Sequence, residues 1–524
     1  MEEQTDEFAD IRGALGSIGI SAAIVFAGSI LSQAMGFGTR IVMTRFLPVD
    51  GYGEIVLGIT VLNLLGIVSI LGLGQALTRY LPRADSEDER SRIAAAIYQI
   101  GIGLSIVWAV VGFLAADFIA GRIFGNPGMA HVVRVLALAL PFYTLMRLSL
   151  RGIQGHKETT PNIVTKQLIR PGAQLAAVAV LSLAGFGVVG LAVGYTFGFV
   201  LAGLVGFALF IRAGGYRVGS LVLRSSRSRY RKLLAFSLPL AVSGSFGLVT
   251  KNSDRFLLGV LATSSAVGVY DVAFLLSQFI LFFGPVLNYL FQPIMAEYHV
   301  ESDYQRMDKL YKIVTRWLVI LTFPVFAFLV LFPETIIGTL FGSEYRAGRS
   351  VLMLLATGFF GARFVGLSGS FLTATGDTKV LMNISAATAV LNLGLNVFLI
   401  PVFGIIGAAF ATVSSTLLNN SLQAGYIYKE TGIQPFTRDL LFPTALAFIF
   451  LGGIKIAVLG SEIGFVIGFL ISGALGIILL TCILLTRSVY IIELQLTDAL
   501  FRKFGIQLHL QKRLRFLSIE QYNK

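Results

Sequence analysis

The sequence predicts an all-α polytopic membrane protein with about 14 transmembrane helices, arranged as two pseudo-symmetric six-helix bundles followed by two C-terminal helices. Three observations predict this class. Of 524 residues, 55% are hydrophobic and only 13% charged, with a mean hydropathy of +0.80, whereas soluble domains carry about a quarter charged residues. The runs Pro171 to Ile211 and Val380 to Tyr428 contain no charge at all, and each is long enough for two crossings at about 20 residues apiece. The chain also repeats itself. Arg45-Phe46-Leu47 and Gly51-Tyr52 have counterparts in Arg255-Phe256-Leu257 and Gly268-Val269-Tyr270, while Gly155, Asn162-Ile163 and Phe186-Gly187-Val188-Val189-Gly190 return in order as Gly376, Asn383-Ile384 and Phe403-Gly404-Ile405-Ile406-Gly407. Two like halves in a membrane can rock about a site between them, which points to a carrier.

In chain order, residues 1–17 form an N-terminal tail whose acids Glu2, Glu3, Asp6, Glu7 and Asp10 stand where a cleavable leader would need basic residues, so the first span is expected to stay in the protein. The first six-helix bundle covers 18–211, with helices expected at 18–39, 55–77, 93–116, 132–150, 168–184 and 188–211. A basic linker at 212–232 holds seven Lys and Arg and no acid. The second bundle covers 233–428, with helices at 233–250, 272–295, 317–333, 351–372, 380–400 and 404–428. Helices 13 and 14 fall within 429–486, and 487–524 is a basic amphipathic tail suited to lie on the inner membrane surface.

Charge placement tests that map independently. With the N-terminus inside, 31 of the 41 Lys and Arg residues fall on the inner side and 9 on the outer, the asymmetry of the positive-inside rule for an even number of crossings. Both termini are therefore expected in the cytoplasm and the protein in the cell membrane. The net charge of +13 then reflects topology and anionic lipid, and no nucleic-acid partner is implied. The lone Cys482 excludes an intrachain disulfide, and the scattered His131, His156, His299 and His509 suggest no metal site. No cofactor is expected.

Ionisable groups inside the spans mark the candidate site, because each costs about 2.5 to 3.5 kcal/mol in hydrocarbon and usually faces a cavity. Arg363 has thirteen uncharged residues on either side. Arg147 shares a helical face with Arg151, Lys251 shares one with Arg255, and Arg40 and Arg45 close the first helix. Asp254 is the nearest acid, with Asp117 and Asp271 more peripheral. A cavity lined by Arg363, Arg147, Arg40, Lys251, Arg255 and Arg45 suits an anionic ligand such as a phosphate or pyrophosphate head group. Snorkelling to the interface is an equal account of Arg40, Arg45, Lys251 and Arg255, and it also suffices for Lys455. Gly185 to Gly190 fits GxGxxG but joins two spans with no strand before it, so it reads as a tight turn. Asp85 to Glu89 reads as a solvated acidic turn rather than a metal site. No loop is long enough for a catalytic domain, and no enzyme is expected.

The stretches TRFLPVDGYGEIVLG, GLGQALTRYLP, NSDRFLLGVLATSSAVGVYDVA and PVFGIIGAAFATVSS resemble the polysaccharide flippases of the multidrug/oligosaccharidyl-lipid/polysaccharide (MOP) superfamily, over about residues 15 to 430. The resemblance implies a V of two six-helix bundles that moves a lipid-linked oligosaccharide from the inner to the outer leaflet, with cationic cavity residues holding its phosphate. The partners it implies are that substrate, membrane lipids and glycan-assembly enzymes. Coupling to an ion gradient would fall to Asp254. Two helices beyond the twelfth resemble the fourteen-span lipid II flippases, but arginine enters the first helix here only at Arg40 and Arg45, unlike in that group. The competing expectations are a multidrug exporter driven by H+ or Na+, which would need buried acids, and a non-transporting scaffold for glycan-assembly enzymes.

Overall fold

The computed structural model describes residues 27–156, 160–216, 226–457 and 464–485, with the pairs 489–490 and 518–519. Ten helical stretches within it are long and apolar enough to cross a membrane, and large side chains such as Phe398, Val390, Ile449 and Leu470 are exposed along them. Apolar surface on that scale needs lipid as solvent. The protein is a multi-pass, all-α membrane protein. Most of the tail at 487–524 lies outside the described residues; its two dipeptides, Val489–Tyr490 and Ser518–Ile519, pair in parallel.

The chain divides into two compact units, Met1–Asp271 and Val272–Lys524. In the first unit, α1 spans 27–46 and is followed by α2 (Val49–Ile70), α3 (Leu73–Tyr80), α4 (Glu87–Leu114), α5 (Ala130–Leu138), α6 (Leu140–Gly155), α7 (Arg170–Leu183), α8 (Val188–Gly214) and α9 (Arg227–Leu261). Its last element is the start of α10, Ser264–Ser277. Helix α8 packs along α6 and α7, and α9 lies along α2. The core gathers Leu73, Leu77, Tyr98, Leu148, Ile153 and Phe210.

The acidic run at 85–89 is a helix start rather than a solvated turn. Ser86 Oγ accepts from the Glu89 amide at 3.1 Å, and the Glu89 carboxylate accepts from the Asp85 amide at 3.1 Å. These bonds satisfy donors the helix leaves free, and Glu87, Asp88 and Glu89 complement the positive end of its dipole. The break between α2 and α3 needs left-handed backbone at Leu71 and Gly72 (φ 43° and 71°), and a Cβ on Gly72 would fall 2.5 Å from the Ser237 carbonyl of α9. The turn expected at Gly185 to Gly190 is present, with Gly185 at φ 78° between α7 and α8.

The second unit continues from α10 through α11 (Phe283–Val300), α12 (Tyr304–Leu331), α13 (Pro333–Leu340), α14 (Arg349–Gly361), α15 (Ser368–Ala374), α16 (Thr378–Thr431), α17 (Arg438–Ala457) and α18 (Phe465–Leu485). Helix α16 holds two of the expected spans, kinked at Gly404 (φ 56°, ψ −131°) three residues after Pro401. The single helix expected at 272–295 is two, joined by a 3-10 turn at Gln278–Leu281, where Pro285 removes the amide that Leu281 would have received. The core here is aromatic: Phe326 stacks on Phe360 at 4.4 Å, and Phe323 and Phe448 close around them. Helices α17 and α18 pack on α12, and Lys455 Nζ donates to the carbonyls of Val330 and Leu331 at 3.2 and 3.1 Å. Lys455 therefore caps the negative end of α12 instead of snorkelling.

Candidate functional site

The repeat decides where the charges of the first unit go. Helix α1 ends at residue 46 and α2 begins at Val49; α9 ends at Leu261 and α10 begins at Ser264, with two residues between helices in each copy. In this register Arg40 corresponds to Arg255 and Gly53 to Gly268, so the match of Arg45 with Arg255 made on sequence is shifted by five residues. The two glycines let the paired helix starts touch backbone to backbone. A Cβ on Gly53 would lie 1.8 Å from the Ser264 carbonyl, and one on Gly268 would lie 2.6 Å from the Val49 carbonyl.

That crossing brings both arginines to one carboxylate. Arg255 Nε donates to Asp271 Oδ1 at 2.6 Å. Arg40 Nη1 stands 3.7 Å from Asp271 Oδ2, and the Tyr52 hydroxyl donates to that same oxygen at 2.5 Å. The guanidinium of Arg40 lies over the rings of Tyr52 and Tyr195 at 5.9 and 5.8 Å. Asp271 is 4% exposed, and a buried carboxylate of this kind requires such partners. Two arginines thus converge on one carboxylate. Asp271, read as peripheral from sequence, is the centre of this set. The signal that could have found it is the equal spacing of thirteen from Arg40 to Gly53 and from Arg255 to Gly268, which the closer likeness of the Arg-Phe-Leu triplets concealed.

A second cationic group lies in the same unit. Arg147 donates to the Tyr143 hydroxyl from Nε and Nη2 at 3.2 and 2.9 Å and lies over the same ring. Lys166 feels the charges of Arg147, Arg170 and Arg151. Lys166 lies in a π-helical stretch, Val164–Ile169. Sequence reading assigned Lys166 and Arg170 to a loop and a helix end, so it missed them. Repulsion among four cations is relieved only by solvent or by an anion.

In the second unit Arg363 is not in mid-helix as expected. It sits in a 3-10 turn, Ala362–Val365, that ends α14 at Gly366 (φ 69°). Tyr311 accommodates the break by donating its hydroxyl to the Val365 carbonyl at 2.5 Å. Among the described residues Arg363 forms no ion pair, and its buried Nε has no hydrogen-bond partner. A Cβ on Gly284 would stand 3.2 Å from its Nη1, so a side chain there would crowd the guanidinium. Arg45 is exposed at the end of α1, Asp254 is buried and accepts from Tyr270 at 2.7 Å, and the side chain of Lys251 lies outside the described residues.

A family profile described as "Polysaccharide biosynthesis protein" matches residues 42–348, more than half the chain. The chain belongs to the polysaccharide biosynthesis protein family. Its relatives in that line include the probable low-salt glycan biosynthesis flippase Agl15 of Haloferax volcanii, 26% identical over 231 residues, 44% of this chain and 49% of that protein. The succinoglycan biosynthesis transport protein ExoT of Rhizobium meliloti is 24% identical over 345 residues, 63% of this chain and 64% of its own. The matched chain thus spans about half the length of the first relative and just under two thirds of the second. Among solved structures, the lipid II flippase MurJ in an inward closed conformation superposes with a TM-score of 0.68 at 13% identity, covering 88% of this chain and 98% of MurJ. An inward-facing multidrug resistance MATE transporter of the MOP superfamily gives 0.64 at 14%, covering 78% and 98%. The family member described here has the MOP transporter fold.

Proposed function

We propose that this protein is a non-catalytic carrier that moves a lipid-linked oligosaccharide, joined through phosphate or pyrophosphate, from the inner to the outer leaflet of the cell membrane for surface-glycan assembly. The observation that carries the reading is the convergence of Arg40 and Arg255 on one buried carboxylate, beside an Arg363 with no ion pair among the described residues, in a member of a polysaccharide biosynthesis family. Among the described residues Arg363 forms no ion pair and its Nε has no hydrogen-bond partner, Arg40 and Arg255 converge on Asp271, and Arg147 is among the cations that act on Lys166. Guanidinium groups match phosphate oxygens in shape and charge. The names of Agl15 and ExoT support transport in glycan assembly.

In this scheme the sugar-phosphate head enters the carrier while the lipid tail stays in the bilayer; the repeat-related halves are 18–211 and 233–428. The cationic groups available to the anion are Arg147, Arg40, Lys251, Arg255 and Arg45 in the first unit and Arg363 in the second. Rocking of the halves turns the site outward, and Asp254 changes its pairing with a coupling ion. Glycan-assembly enzymes on the cytoplasmic side supply the substrate. The reading is tested in proteoliposomes with a fluorescent pyrophosphate-linked oligosaccharide lipid. Translocation should occur with the native protein and fall at least tenfold in Arg363→Ala, the effect of about 1.4 kcal/mol or more in anion contact. Normal flipping by a correctly inserted Arg363→Ala would remove the scheme's core. Transport of a cationic dye with no lipid flipping would identify a drug exporter instead.

A further inference from the structure

Asp271 is the carboxylate on which the two repeat-related arginines converge. Its two oxygens are divided between different donors: Oδ1 takes Arg255 at 2.6 Å, and Oδ2 takes Tyr52 at 2.5 Å. Arg40 is left at 3.7 Å from Oδ2 and 3.5 Å from the Tyr52 hydroxyl, too long for a strong charge-assisted bond. Arg255 is thus committed to the carboxylate while Arg40, with five N–H donors, is held mainly by two aromatic faces. Tyr52 takes one acceptor site of Oδ2, the oxygen that Arg40 faces, and so competes with Arg40 for it. The symmetric origin of the two arginines makes their unequal treatment informative: the same helix position is satisfied in one copy and under-satisfied in the other.

We infer that Asp271 is a built-in counter-anion that keeps the Arg40–Arg255 pair assembled in the empty carrier and competes with the ligand's phosphate for it, with Tyr52 setting how much of Arg40 remains available. Asp271 is a specificity-determining residue on this account. Arg40 makes no short charge-assisted bond to Asp271, so a ligand must bring a strong anion to complete the set, and a neutral lipid alcohol gains nothing there. Arg40 is the first group to engage the ligand, and Arg255 follows only if Asp271 yields it. The inference rests on the flippase reading above for the class of ligand.

The test is binding of a short-chain polyprenyl diphosphate to the purified full-length protein in detergent, with the matching polyprenol as the uncharged control. Asp271→Asn removes the competitor but keeps the shape, so affinity for the diphosphate should rise about tenfold, the scale of one charge-assisted hydrogen bond. Tyr52→Phe should act in the opposite direction. It frees Oδ2 for Arg40, so affinity should fall about threefold or more, within the worth of a single hydrogen bond. Adding Arg40→Ala to Asp271→Asn should cancel the gain. General damage to the fold would weaken binding in both single variants, so the opposite signs are diagnostic, and Tyr52→Phe decides alone if Asp271→Asn does not fold. Native protein that binds the diphosphate, with Asp271→Asn no tighter or Tyr52→Phe no weaker, overturns the role of Asp271 and leaves the flippase reading standing. Native protein that prefers the polyprenol, or binds neither, overturns both.

Discussion

At the residue scale, an arginine's surroundings decide whether it is a ligand group or a structural one. Arg255 is bonded within a buried cluster, Arg147 rests on Tyr143, and Arg363, at a helix break, has an Nε with no partner among the described residues. All three look alike in sequence, because a charge in an apolar run announces burial but not its partner. Arg363 and the run of uncharged residues around it were legible; Asp271 was not, since it lies one residue before the second compact unit and looks peripheral until Arg40 and Arg255 converge on it. Tyr52 and Tyr195 were equally hidden, as aromatic residues in a membrane chain are usually packing. A residue-scale prediction follows for Ser86. Replacing it with alanine removes the bond to the Glu89 amide and should destabilise the protein by about 1 kcal/mol, measured as a small drop in the midpoint of thermal unfolding with transport retained.

At the scale of elements, the positions of helices were readable and their breaks were not. Charge-free length places α8 and α16 in the bilayer, but the turn that ends α14 and the 3-10 turn before α11 depend on Gly366 and Pro285 in context. The two copies of the apolar turn also differ: Gly185 takes positive φ in the first, Gly404 in the second. The same need is met at different residues. The crossing of α2 with α10 is the most demanding contact of the first unit. Gly53→Ala would put a methyl 1.8 Å from a backbone carbonyl, where neither helix can yield by rotating a side chain. It should destabilise by about 1 to 3 kcal/mol and, by moving Arg255 relative to Arg40, lower diphosphate binding. Wild-type stability and binding in that variant would show that the crossing is looser than drawn.

At the scale of the whole molecule, the alternating basic loops set the expected orientation. With Cys482 replaced by serine, a single cysteine at Asp85 should react with an impermeant maleimide only after the membrane is opened, and one at Gly128 should react from outside in intact cells. Labelling of both positions from the same side would overturn the assignment of loops. The family profile agrees with the resemblance read from the motifs, and the superposition on MOP transporters agrees with the all-α membrane class read from composition, because hydropathy fixes that class through local composition.

The sequence by itself determined the membrane class, the approximate spans, the duplication and the surplus of cations, since hydropathy and charge act through local composition and need no partner. Tertiary structure alone decided the register of the repeat and the pairing of Arg40, Arg255 and Tyr52 with Asp271. Those depend on two helix starts meeting at Gly53 and Gly268, and a contact between residues more than two hundred positions apart leaves no periodic trace along the chain.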